Sequence, residues 1–281
     1  MCRFTAYLGN KEIILHHILA ETDHSLVSQS HSAKECALSG VNGDGFGIGW
    51  YNQKIDKYPA LFKSTLPAWN DENLKNVTKK ISSNCFIGHV RAATVGTVDF
   101  SNCHPFTNRD LMFVHNGQID FFSLIKKTII AKISSIHLSN IKGQTDSEYI
   151  LALICTFIDT YKENTITVKT LTRAFMDTIT EINNIQNALC KCSSSKLNLL
   201  ITNGKILAAS KYSTNPEEET LSLYYSTLFL NNSHSKETAW KKVFISSEIL
   251  DCSQDWISVP SNHFLTIDED YNVIVSSINE E

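Results

Sequence analysis

Met1-Cys2-Arg3-Phe4-Thr5-Ala6-Tyr7-Leu8 opens the chain, and its reading decides the fold. Residues 4–8 form a β-prone run that starts directly behind Cys2, so the cysteine sits at the head of a rigid element. Met1 is expected to be removed, because the second side chain is small, which gives a mature chain of 2–281. Cys2 then carries a thiol and a free α-amine on one residue. A thiol ordinarily titrates near about 8.5 and an α-amine at about 7.7–8.0. A soft nucleophile beside a base poised near neutrality suits acyl transfer. Position alone is a weak signal, since cysteine usually behaves as a small buried hydrophobe. The rest of the chain has to carry the argument.

The 281 residues are 42% hydrophobic and 19% charged, enough to bury a sizeable core in one domain. A net charge of −4 without any basic block argues against nucleic acid as a partner. The eight cysteines, at 2, 36, 85, 103, 155, 190, 192 and 252, contain no C-x-x-C pair. Their spacing matches no common zinc site, so neither a metal nor another cofactor is expected. A disulfide framework is not expected at this length, which favours reduced thiols and a cytoplasmic location. The apolar run 13–20 is broken by His16 and His17, so it does not read as a signal peptide. No stretch approaches the length needed to cross a membrane.

Further β-prone runs lie at 46–51, 85–90, 111–115, 197–202, 206–210, 221–226, 243–247 and 264–267. Asn203-Gly204 between two of them is a hairpin signal. Two helices are predicted in the middle. Ile150, Leu151, Ile154, Phe157, Ile158 and Tyr161 form one apolar stripe, behind a capping-box sequence at Thr145-Asp146-Ser147-Glu148. Val168, Leu171, Phe175, Ile179 and Ile182 form the second. Strands, two helices and strands again predict an α+β fold with stacked sheets and helices outside. The segment 183–195 reads as a mobile connection, and Cys36, Cys85, Cys155 and Cys252 read as core filling.

Four segments, and Asp146 besides, look too particular for a core. Asn42-Gly43-Asp44-Gly45-Phe46-Gly47 runs into a strand, not a helix, so it suits close backbone approach better than phosphate binding. Arg91, at the end of a strand, is suited to hold a carboxylate through parallel N–H bonds. Asn102-Cys103-His104-Pro105 places a histidine that orients or packs. His115-Asn116-Gly117 is either a tight turn or an amide and a backbone N–H aimed at one place, as an oxyanion hole needs. Asp146, in the first turn of a helix, suits the helix dipole or a substrate ammonium.

In this order, Cys2, Gly43-Asp44-Gly45-Phe46-Gly47, Arg91-x-x-Thr94-x-Gly96, His104-Pro105, His115-Asn116-Gly117 and Thr145-Asp146-x-Glu148 resemble the class II glutamine amidotransferases of the N-terminal-nucleophile hydrolase superfamily. Ser246-Ser247-Glu248, Trp256 and Val259-Pro260 are similar to a signature of its stand-alone branch. That branch includes the ergothioneine-pathway γ-glutamyl amidohydrolase and the amidotransferase-like subunit of the fungal glutathione-degradation complex.

The resemblance implies a four-layer αββα sandwich with Cys2 at the end of a central strand. It implies hydrolysis of a linear γ-glutamyl amide, in glutamine, glutathione or a related compound. Cys2, Asn116 and Gly117 would be catalytic. Arg91 would bind the α-carboxylate and Asp146 the α-ammonium, with Thr94, His104 and His115 completing the pocket. Where synthase-linked members have Arg-Trp-Ala-Thr-His-Gly, this chain has Arg91-Ala92-Ala93-Thr94-Val95-Gly96, which points away from ammonia transfer. The chain also ends near the limit of the hydrolase domain, so any acceptor would be a separate peptidase or synthetase subunit. Two alternatives stand beside hydrolysis: a glutaminase subunit that feeds ammonia to a synthetase, and a non-catalytic scaffold.

Overall fold

The computed structural model describes residues 2–35, 41–189, 193–215, 217–230, 240–252 and 254–278. Two antiparallel sheets dominate it. The first has β1 (Arg3–Ile14), β2 (Phe46–Tyr51), β3 (Pro59–Ser64), β4 (Ser82–Val90), β9 (Tyr224–Leu230), β10 (Trp240–Ser246) and β11 (Ile257–Ser258). Their order is β11-β9-β10-β1-β4-β2-β3, so β1 is the central strand of seven. The second sheet has β5 (Phe106–Asn108), β6 (Leu111–Gln118), β7 (Lys196–Thr202), β8 (Leu207–Lys211), β12 (His263–Ile267) and β13 (Val273–Ser277). It is ordered β13-β12-β8-β7-β6-β5.

Side-chain alternation assigns the layers, because successive strand residues face opposite sides. Phe4, Ala6 and Leu8 of β1, Ile87 of β4, Val243 and Ile245 of β10, Met112 and Val114 of β6, and Leu200 of β7 share one cluster between the sheets. Tyr7, Phe86, Val90 and Phe244 face the other way. They pack under α1 (Leu15–Leu19), α2 (Leu26–His31) and α3 (Glu72–Thr78). Leu111, Phe113, Leu199 and Ile201 pack under α4 (Phe122–Ile130), α6 (Asp146–Tyr161) and α7 (Val168–Leu189). α5 (Ser135–Leu138) is a single turn beside α6. The result is the αββα order of layers.

Leu171, Phe175, Ile179 and Ile182 form the buried stripe of α7, as the periodicity predicts. In α6 burial extends over most of the first ten residues, because the helix is covered by α4, α5 and α7 as well as by its sheet. The Asn203-Gly204 turn joins β7 to β8, with Gly204 at φ +85°.

Three expectations are corrected. Positions 183–189 are the last turns of α7, not a connection, with Ile185 and Gln186 buried; 190–192 lie outside the described residues. Thr145 caps α6 with no side-chain hydrogen bond. Glu148 turns instead to the preceding loop and accepts from the backbone N–H groups of Lys142 and Gly143 at 3.0 and 2.8 Å. Cys252 is exposed and fills no core, whereas Cys85 and Cys155 are buried; Cys36 lies outside the described residues.

Candidate active site

Cys2 precedes β1 and shares the inward parity of Phe4, so it stands at one open end of the space between the sheets. Register brings its neighbours there. In the β1–β4 ladder Arg3 pairs with Val90 and Phe4 with His89. The chain continues past β4 into Arg91 and Ala92 alongside Cys2. Cys2 Sγ lies 3.4 Å from both the N–H and the carbonyl oxygen of Ala92. Burial pushes the thiol pKa up, opposed by the Ala92 N–H and by the charges of Arg91 and Arg3.

The glycine-bearing segment before β2 fixes this corner. Asp44 N–H donates to Arg91 O, Arg91 N–H donates to Gly45 O, and Asp44 Oδ2 accepts from Ala93 N–H, at 2.8–2.9 Å. A Cβ on Gly45 would lie 2.7 Å from Cys103 Sγ and 2.8 Å from Ser64 O, so the close approach read from sequence is real.

Arg91 is 2% exposed. Two of its N–H donors hold the following loop, at Thr97 O (3.0 Å) and Val95 O (2.9 Å). A guanidinium has five donors, so a fork remains for a carboxylate. Thr94 is exposed on that same loop.

Asn116 and Gly117 end β6 on the facing sheet. The Asn116 amide nitrogen lies 2.7 Å from Ser247 Oγ. Ser247 is locked to β1, accepting from Phe4 N–H at 3.0 Å and donating its own N–H to Phe4 O at 3.0 Å. One serine thus ties the sheet that carries Asn116 to the strand that carries Cys2. Gly117 has φ +130°, and a Cβ there would sit 1.9 Å from Lys196 O. Gly117→Ala is expected to lower Tm by roughly 5–10 °C through strain and clash. A melting curve within a degree of wild type would contradict this.

Asp146 is 3% exposed and accepts from Ile119 N–H (2.7 Å) and Ser147 N–H (2.9 Å), which fixes it just beyond Gly117. His115 faces the helix layer. Its Nε2 lies 3.1 Å from Lys196 O, which can only accept, so Nε2 carries the proton and Nδ1 accepts from Ser147 Oγ at 3.0 Å. Burial holds its pKa down despite nearby Asp146. His115 is therefore a neutral link between β6, β7 and α6.

Glutamine amidotransferases class-II is the family whose model matches this chain, over residues 17–270. The chain belongs to that family. It is 33% identical to the probable glutamine amidotransferase DUG3 of Saccharomyces cerevisiae, over 95% of this chain and 82% of that protein. It is 24% identical to the gamma-glutamyl-hercynylcysteine sulfoxide hydrolase of Mycolicibacterium smegmatis, over 99% of this chain and all of that one. Among solved structures, a glutamine aminotransferase class-II domain protein from Silicibacter pomeroyi superposes with TM-score 0.66 at 23% identity, covering 98% of this chain and 99% of its own. The sandwich is thus the fold of this class II family, as its motifs imply.

His104 packs rather than hydrogen-bonds. It is 3% exposed, stacks on His89 with centroids 4.2 Å apart, and has no hydrogen-bond partner for either ring nitrogen among the described residues. Burial, and then the neighbouring histidines, keep its pKa well below the ordinary value, so it packs as a neutral ring.

Ser246-Ser247-Glu248 is a recognisable signature in the sequence, but its contacts are visible only in the fold. Ser247 faces inward to Asn116, while Glu248 faces outward. The Glu248 carboxylate accepts from Arg3 Nε (2.6 Å), His24 Nε2 (2.6 Å), Lys34 N–H (2.8 Å) and Glu35 N–H (3.1 Å). Arg3 in turn donates to Cys2 O and Glu35 O, both at 2.9 Å. Glu248 lies more than two hundred positions from each of its four partners, so no local spacing reveals them.

Proposed function

We propose that this chain hydrolyses γ-glutamyl amide bonds through a γ-glutamyl thioester on Cys2. The observation that carries the reading is the thiol at the end of the central strand, seated against Ala92, with the Asn116 amide tethered to that same strand. The names of the relatives point the same way, since one is a γ-glutamyl hydrolase and another a probable glutamine amidotransferase.

The sulfur attacks the γ-carbonyl carbon and forms the C–S bond. Its proton passes to the Cys2 α-amine freed by loss of Met1, directly or through one water. Asn116 and the Gly117 N–H take the oxyanion. The α-amine returns the proton to the leaving nitrogen as the C–N bond breaks. Water, deprotonated by the same amine, then attacks the thioester, releasing glutamate and restoring the thiol. Arg91 pairs with the substrate carboxylate and Asp146 with its ammonium, with Thr94 beside the carboxylate. Fixing both ends holds the acyl carbon near the sulfur and lowers the entropic part of the barrier. The acceptor of any released amine, a separate peptidase or synthetase in the cytoplasm, belongs to the same proposal.

The test compares glutamine, glutathione and other γ-glutamyl compounds by free glutamate released. One of them is turned over, and Arg91→Lys, which keeps charge but loses the fork, raises KM about 10- to 100-fold with kcat within a few-fold. Absence of glutamate release from every γ-glutamyl compound, with Met1 removed, would overturn the reading.

A further inference from the structure

We propose that Ser247 is a positioning residue that decides which end of the Asn116 amide faces the nucleophile. This rests on the reading of Asn116 as an oxyanion donor. With Asn116 Nδ2 donating to Ser247 Oγ at 2.7 Å and Phe4 N–H donating to the same oxygen at 3.0 Å, Ser247 accepts twice. Its hydroxyl proton then has no acceptor among the described residues, and Asn116 Oδ1 is buried without a donor. Two polar groups are stranded in a site 2% exposed or less, and an unsatisfied buried donor or acceptor is costly.

Reversing the amide removes both defects without moving a heavy atom, because the oxygen and nitrogen of a primary amide have nearly the same size and geometry. Ser247 keeps the Phe4 N–H and donates its hydroxyl proton to Asn116 Oδ1. The two Nδ2 hydrogens are freed together. Asn198 lies directly opposite Asn116 in the β6–β7 ladder, and its Oδ1 is a second buried oxygen without a hydrogen-bond partner among the described residues. Directly opposed residues on one face lie within side-chain reach. One hydrogen therefore has an acceptor across the ladder, and the other is left for the oxyanion in front of Cys2. The oxygen of the amide, which would repel an oxyanion, is held at the back by Ser247.

The same serine is fixed to Phe4 through its backbone N–H, so the amide is aimed relative to β1 itself. Within Ser246-Ser247-Glu248, alternate faces of one strand end then serve the same terminus. Ser247 aims the oxyanion donor from inside, and Glu248 clamps Arg3 from outside.

Two measurements test this. In a double-mutant cycle, Asn116→Ala lowers kcat about 10²- to 10³-fold, the usual effect of one oxyanion donor. Ser247→Ala lowers kcat about 10- to 100-fold with KM within about 3-fold. The double variant is no slower than Asn116→Ala alone, because the part of Ser247 that sets kcat runs through that amide. If the single effects multiply, or Ser247→Ala acts mainly on KM, Ser247 is merely structural and the proposal is overturned. Neutron diffraction on deuterium-exchanged wild-type crystals gives a readout that needs no activity. Deuterium on Ser247 Oγ directed at Asn116 Oδ1, with ND₂ toward Cys2, is expected. Deuterium on an Asn116 nitrogen directed at Ser247 Oγ would overturn the proposal even if the wild-type enzyme turns over its substrate. A correct map together with no glutamate release would leave this orientation intact and sink the hydrolytic reading instead.

Discussion

Cys2→Ala is expected to abolish glutamate release, by about 10⁴-fold or more, while leaving the fold untouched. The chemical loss is near total because the acyl group has nowhere else to go. Of the other described cysteines, Cys85 and Cys155 lie in the core, Cys252 is exposed and Cys103 is buried against Gly45; burial pushes Cys85 and Cys155 up to about 12 and raises Cys103 as well. Residual catalysis from positioning and the oxyanion donors alone is a small remnant in enzymes of this type. The structural loss is slight because, among the described residues, the hydrogen bonds of Cys2 Sγ are two long ones to Ala92. A Tm within about 2 °C of wild type follows. Cys2→Ala also keeps Arg91 and Asp146, so a slowly hydrolysed γ-glutamyl compound still raises its Tm. A diazo-ketone analogue of glutamine labels Cys2 in the wild type and nothing in the variant. Labelling of another cysteine, or full activity in Cys2→Ala, would end the N-terminal-nucleophile mechanism. A scaffold predicts that no activity is there to lose.

The layers were legible because alternation and register are local. Phe4, Ala6 and Leu8 face one way and Tyr7 the other, and the single apolar stripe of α7 follows its spacing. The glycine segment, Arg91, Asn116-Gly117 and Asp146 were legible as motifs, and the fold brings their strand ends to one end of the sandwich. What sequence missed falls into two kinds. The short elements α1, α2 and α3 run five to seven residues, too short for helical periodicity, and β3 carries Pro59 and Lys63 on an exposed edge that breaks alternation. The second kind is long-range polar pairing. Thr145 to Glu148 has capping-box spacing, yet Glu148 satisfies the loop before it. His115 sits in a catalytic-looking triplet, yet both of its nitrogens are committed to Lys196 O and Ser147. In each case the partner was fixed by packing between elements, which spacing along the chain does not encode.

Glu248→Ala is expected to destabilise the protein by about 3–5 kcal/mol, the usual effect of removing one member of a buried ion pair. The Glu248 and Arg3 side chains are 2% and 3% exposed, so water cannot readily replace the carboxylate. Removing it also strands the N–H groups of Lys34 and Glu35, which pin the loop after α2 against the N-terminus. Activity falls with stability, because the Arg3 guanidinium that holds Cys2 O loses its anchor. Glu248→Gln, which keeps the shape and loses the charge, falls between. The pH dependence follows from the same contacts. Burial pushes the Glu248 carboxyl up, but hydrogen bonds from His24, the Lys34 N–H and Arg3 outweigh it and hold the pKa below the ordinary range. A carboxyl depressed on folding contributes stability that is present above its unfolded value, about 4.3, and is lost as pH falls through the folded value. Wild-type unfolding free energy should therefore drop more steeply than that of Glu248→Gln as pH falls below about 4.3. Urea melts at a series of pH values measure the difference. Parallel slopes, or a Glu248→Ala protein as stable as wild type, would show that the outer clamp does not hold the nucleophile's strand.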